Sequence, residues 1–125
     1  MHIRNLKDIS QPIRSPLGET VYELVGTAQT SGQTNKQSLA YIVIPPGGCS
    51  THHYHLVTEE SYFIISGKAQ MVVDGELFSL SSGEACLIQP PTQHEITNIG
   101  DLDLVFLAIC TPAWTPNDSF LVEKK

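Results

Sequence analysis

The sequence predicts an all-β domain, a sandwich or small barrel, and three observations carry that prediction. Short runs of β-branched and aromatic residues recur along the chain, each stopped by Gly or Pro. The dipeptide Asp74-Gly75 sits between two such runs, where it supplies the positive φ angles of a tight type I′ hairpin. No segment carries a sustained apolar repeat at the 3.6-residue helical period, which argues against βαβ folds.

Taken in order, residues 1–19 contain Pro12, Pro16 and Gly18 without periodicity and form a leading arm over the domain. Thr20 to Gly26 is rich in β-formers and is the first strand. The polar stretch Thr27 to Gln37 is a loop. Ser38 to Gly48 is a buried strand that Pro45, Pro46 and two glycines stop. A histidine-bearing strand follows, then Glu60 to Ser66, closed by Gly67. The hairpin at Asp74-Gly75 joins Lys68–Val73 to Glu76–Leu80, and Ser82-Gly83 turns the chain into Glu84 to Gln89. Pro90 and Pro91 break that strand. His94 to Asn98 and Leu102 to Cys110 are the next two, with a short edge strand at Ser119 to Val122. The expected organisation is one domain over residues 1–125, with a core over 20–112 and a tail over 113–125.

With 125 residues the chain can bury a core without disulfides. Its 7 basic and 13 acidic residues give a formal charge of −6 and no basic stripe, which excludes nucleic acid and anionic membrane surfaces as expected partners. The N-terminus has no apolar run of a signal peptide, and no stretch reaches the roughly 18 apolar residues of a spanning helix. Cys49, Cys86 and Cys110 are odd in number and lack CxxC spacing, as free thiols do. Cys86 and Cys110 lie in apolar strands and read as small buried hydrophobes. A soluble cytoplasmic protein is expected.

The chemistry is concentrated in Gly47 to Gly67, GGCSTHHYHLVTEESYFIISG. Residues i and i+2 of a strand share a face, so the imidazoles of His53 and His55 can converge, with Glu60 as a nearby carboxylate. Imidazole and carboxylate are ligands for Zn, Fe, Mn, Ni or Cu. An isolated HxH is accounted for as well by two surface histidines, or by a core histidine beside an exposed one. The joint spacing weighs against that: Gly47, five residues, His53-x-His55, four residues, Glu60, six residues, Gly67, and then Gly83, ten residues, His94, three residues, Asn98.

These two blocks resemble the paired motifs of the cupin superfamily, G(X)5HXH(X)3,4E(X)6G and G(X)5PXG(X)2H(X)3N. The first is matched at every fixed position; the second is matched at Gly83, His94 and Asn98 and departs at Gln89 and Pro91. The resemblance implies a double-stranded β-helix, a jelly-roll barrel of two antiparallel sheets. It also implies that His53, His55, Glu60 and His94 are ligands of a divalent metal ion: Fe, Mn, Ni or Zn. Alternation agrees. It turns Tyr54 and His52 outward, places Tyr62 and Ile64 on the pocket side with Phe63 and Ile65 outside, and carries Ile96 and Asn98 inward with His94. Glu59 fits the shorter motif spacing but then leaves Gly67 one residue out of place, so Glu60 is preferred.

Three neutral imidazoles and one carboxylate leave two positions open on an octahedral ion, unlike a closed, cysteine-rich structural zinc site. The expected function is a metal-dependent enzyme on a small molecule, a non-haem dioxygenase or an isomerase or lyase. Tyr62 is its candidate catalytic residue, and Ile64, Ile96 and Phe106 are expected to line the pocket. The alternative is a sensor or binding barrel whose metal anchors a ligand without turnover. No acid–base pair is evident beyond the ligands. Phe63 and Ile65 outside, with strands apolar on both faces, require cover by the leading arm or by a second subunit; the resemblance implies a homodimer.

Overall fold

Alternation decides which side of each strand turns inward. In the strand Ser38–Ile44, Ser38, Ala40, Ile42 and Ile44 are buried while Leu39, Tyr41 and Val43 are half-buried. In Leu104–Thr111 the buried set is Leu104, Phe106, Ala108 and Cys110. The structure, a computed structural model, describes residues 1–28 and 32–123. Among these the strands are β1 (Ile13–Arg14), β2 (Thr20–Gly26), β3 (Gly32–Gln33), β4 (Ser38–Ile44), β5 (His53–Tyr54), β6 (Glu59–Ser66), β7 (Lys68–Val73), β8 (Glu76–Ser81), β9 (Ala85–Ile88), β10 (His94–Asn98), β11 (Leu104–Thr111) and β12 (Phe120–Leu121). Two single-turn 3₁₀ helices, Leu6–Asp8 and Pro116–Asp118, complete the described elements. No helix among the described residues is long and apolar enough to cross a membrane.

The strands form two sheets, β1-β2-β4-β11-β6-β9 with β3 on β2, and β12-β5-β10-β7-β8. The β-strand pairs are antiparallel except β2 with β3. This is the all-β double-stranded β-helix that the sequence predicted. The hairpin is where the dipeptide put it: Val73 faces Glu76 across the turn, with Asp74 at φ 46° and Gly75 at φ 85°. Between the sheets lies a core of Ile44, Ile64, Met71, Ile96, Leu104 and Phe106, each at most 1% exposed.

Three readings change. The leading arm is not featureless, since its β1 pairs with β2. Part of the Thr27 to Gln37 loop, residues 29–31, lies outside the described residues, and beyond it β3 folds back on β2 through Val25 and Gly32. The leading arm does not cover Phe63 and Ile65, which are 42% and 40% exposed.

Candidate metal centre

The four ligand candidates come from both sheets. His53 in β5 and His94 in β10 are direct partners across an antiparallel pair, so their side chains share a face. His55 follows β5 on the same face by alternation. Glu60 comes from β6 in the opposite sheet, where its neighbours are Cys110 on β11 and Ile88 on β9. Burial separates it from its rival: Glu60 is 6% exposed, whereas Glu59 is exposed. One potential ligand atom from each of His53, His55, Glu60 and His94 falls within 4.8 Å of all the others. His52 does not join them.

The second ring nitrogens fix the tautomers. Nδ1 of His53 lies 2.8 Å from the Thr51 carbonyl, Nδ1 of His55 lies 2.7 Å from that of Asp118, and Nδ1 of His94 lies 3.0 Å from that of Thr92. A carbonyl only accepts, so each Nδ1–H donates and each Nε2 is turned inward. Glu60 Oε1 lies 3.1 Å from Nε2 of His94 and 3.5 Å from Nε2 of His55. Nε2 of His55 is buried and makes no hydrogen bond. Three inward nitrogens, one of them unpartnered, beside one carboxylate are a donor set that fits a divalent ion of the His-and-carboxylate class.

The turn that departs from the family pattern still holds His94 in place. The Pro90–Pro91 peptide bond is cis, Thr92 N–H donates to the Gln89 carbonyl, and Gln93 N–H donates to the Asp74 carboxylate at 2.9 Å. His94 is thus tied to the tip of the β7–β8 hairpin. His55 is held by the tail, where the Asp118 carboxylate accepts from the N–H groups of Leu56, Val57 and Thr58 at 2.8 to 3.2 Å.

Burial would raise the Glu60 carboxyl, but the His55 and His94 imidazoles beside it outweigh burial and hold Glu60 well below the usual carboxylate range. Burial, with His94 beside it, lowers His53 to about 4. For His55 burial acts downward, and the adjacent Glu60 carboxylate overcomes it and raises the imidazole. Burial first, then Glu60, push Glu19 up to about 7. The Tyr62 phenol is raised well above its ordinary value, chiefly by burial.

A cavity of about 150 Å³ opens onto the cluster, and Glu19, Glu23, Tyr62, Cys110, Trp114 and Ser119 are among its walls with His53, His55 and Glu60. Tyr62 therefore stands in the cavity wall, packed on Phe106 with ring centroids 4.8 Å apart. Ile64, Ile96 and Phe106 do not line it. Each is 0% exposed in the core, and the apolar walls are instead Ile13, Val21, Ala40, Ile42 and Ala108. The physical reason is depth: the inward face of β6 continues past Glu60 and Tyr62 into the packed centre. The described part of the Thr27 to Gln37 loop contributes no wall residue.

Sequence reasoning missed Glu19, Glu23, Cys110 and Asp118. Cys110 donates its S–H to Glu60 Oε2 at 3.3 Å. The signal for the two glutamates was present: Glu19, just ahead of β2, and Val21 and Glu23 within it alternate, so they share a face. Tyr22 and Leu24 form the more apolar opposite face, so periodicity alone did not turn the glutamates inward.

Residues 40–110 match the cupin domain family. An uncharacterized protein of Methanocaldococcus jannaschii is 36% identical over 88 residues, 70% of each chain. The oxalate-binding protein of Thermotoga maritima is 29% identical over 93 residues, 74% of this chain and 77% of that one. Among solved structures, the oxalate decarboxylase of Bacillus subtilis superposes with a TM-score of 0.75 at 29% identity; the match covers 90% of this chain and only 30% of that protein, which has Mn(II) centres. With the family match spanning more than half of its residues, this chain belongs to the cupin family.

Proposed function

We propose that His53, His55, Glu60 and His94 hold one divalent metal ion and that the protein is a metal-dependent enzyme acting on a small molecule in the adjoining cavity. The observation that carries this is the convergence of three oriented imidazole nitrogens and a carboxylate within 4.8 Å at a cavity wall. Mn or Fe fits the donor set, and the Mn(II) centres of the Bacillus subtilis relative favour Mn. Bound there, such an ion supplies Lewis acidity, or redox chemistry for an oxygenase. The chain's own residues would do the rest. Tyr62, kept protonated by burial, donates a hydrogen bond to substrate rather than acting as a base. Glu19, close to neutrality in its proton affinity, can accept or return a proton. Oxidative cleavage of the dioxygenase type and isomerase or lyase chemistry on a carbonyl are the two reactions this set supports.

Metal analysis after loading with Mn(II), Fe(II), Ni(II) and Zn(II) tests the site. His53→Ala, His55→Ala and His94→Ala should each lower the bound stoichiometry while the β-sheet circular dichroism persists. Full metal content in all three would refute the assignment. Oxygen uptake with catechols, thiols and diketones, and turnover of sugars, then separate the reactions.

A second reading, binding without turnover, is favoured by the relative named for binding oxalate, which this chain matches along most of its length. Saturable ligand binding with no turnover under any metal would establish it. Phe63, Ile65, Leu87 and Ile109 form an exposed apolar face on β6, β9 and β11, and we place a homodimer contact there. The thiols of Cys49, Cys86 and Cys110, none assigned to a disulfide, suit a reducing, cytoplasmic compartment.

A further inference from the structure

The wall of the cavity contributed by β2 is acidic and built. Glu23 is 5% exposed, and its Oε2 accepts from Ala28 N–H at 2.9 Å. Gly26 makes room for it, since a Cβ there would lie 2.8 Å from the Glu23 carboxylate. Two residues toward the N-terminus from Val21, Glu19 faces the same cavity half-buried, and its carboxylate has no hydrogen bond or ion pair among the described residues. Trp114 is a further wall residue, and among the described residues no Lys or Arg lines the cavity. A second observation marks the space as a ligand site: His55, 3% exposed, lines it with a buried Nε2 that makes no hydrogen bond and has only the Glu60 carboxylate near it, at 3.5 Å.

Resting on the metal-site reading above, we propose that the ligand presents a positively charged hydrogen-bond donor to Glu19 and Glu23, so that the cavity takes a small amine or amino alcohol in preference to a dicarboxylate. Glu23 and Glu60 already match the charge of a divalent ion, and Glu19 exceeds it whenever its carboxyl is ionised. Among the described residues a dianion in the cavity meets no cationic side chain and faces the acidic wall instead. An ammonium group satisfies the idle Glu19 carboxylate and can lie against the Trp114 ring, an arrangement favourable to a cation. The raised Glu19 carboxyl, at about 7, is consistent with a group whose counter-charge comes from the ligand.

Trp114 is the only tryptophan, so its emission reports on the cavity. The test titrates Mn(II)-treated protein, its metal content measured, with 2-aminoethanol, with ethylene glycol as the uncharged analogue, and with oxalate. The expected result is an apparent dissociation constant for 2-aminoethanol at least about tenfold below those of both other probes. Glu19→Gln should shrink that preference severalfold at unchanged metal content. Oxalate or ethylene glycol binding as tightly as 2-aminoethanol, or no response to 2-aminoethanol, overturns the inference, and the wild-type comparison stands even if the variant does not fold. If no metal loads, the metal reading fails separately. The same ranking measured on the metal-free cavity then supports or overturns the acidic-wall inference.

Discussion

At the scale of single residues, the site is a competition between protons and a metal ion for the same nitrogens. His53 is lowered to about 4, so it stays neutral over the working range, whereas His55 is raised above the ordinary 6.5 by Glu60 against the opposing effect of burial. On acidification His55 takes its proton first. Metal affinity should therefore fall as the pH drops through the raised His55 value toward 6.5, and recover on return; a titration of Mn(II) affinity that stays flat down to pH 5 would contradict it. Glu19 gives a prediction of the opposite kind. Its folded-state carboxyl holds a proton up to about 7, while the unfolded chain releases it near 4.5. Metal-free protein should thus lose stability relative to Glu19→Gln as the pH rises from 4.5 to 7, measurable as a growing gap between denaturation midpoints. The cluster of His53, His55, Glu60 and His94 was legible because its signal is the spacing of two sequence motifs. Glu19 and Asp118 were not, because their roles depend on which face of β2 turns inward and on where the tail docks.

Turns decide the outcome at the scale of elements. Gly67 closes β6 at φ 96°, and a Cβ there would lie 2.9 Å from the Asp103 carbonyl oxygen and 3.0 Å from Leu104 Cα. Gly75 has a similar φ of 85° but open space around it. Gly75→Ala should cost about 1 kcal/mol from backbone conformation alone, and Gly67→Ala about 3 kcal/mol because the neighbouring strand must also move. Urea denaturation of the two variants checks the order. The Asp74-Gly75 turn could be read directly, since its residue types are specific to it. β1, β3 and β5 have two residues each and cannot display alternation; only the fold shows what they pair with.

For the molecule as a whole, the two faces of the larger sheet predict contrasting phenotypes. Phe106 is fully buried, and Phe106→Ala should cost about 4 kcal/mol through the cavity it leaves. Phe63 is 42% exposed, so Phe63→Ala should change monomer stability by less than about 0.5 kcal/mol. If that face is a contact between copies, light scattering will show the variant shifted toward monomer. The sequence carried the fold class because the apolar alternation repeats over many strands. It said nothing about depth, which is why Ile64, Ile96 and Phe106 lie beneath the cavity. The Asp118 strap has a temporal consequence. The Asp118 carboxylate and carbonyl secure the Leu56–Thr58 turn and His55 from 60 to 63 residues further along the chain. A ribosome-bound chain ending at Trp114 already holds all four residues of the cluster yet lacks the segment that orients His55. Tight metal capture should therefore await synthesis of Asp118, and a version cut after Trp114 should bind Mn(II) at least about tenfold more weakly than the 125-residue chain.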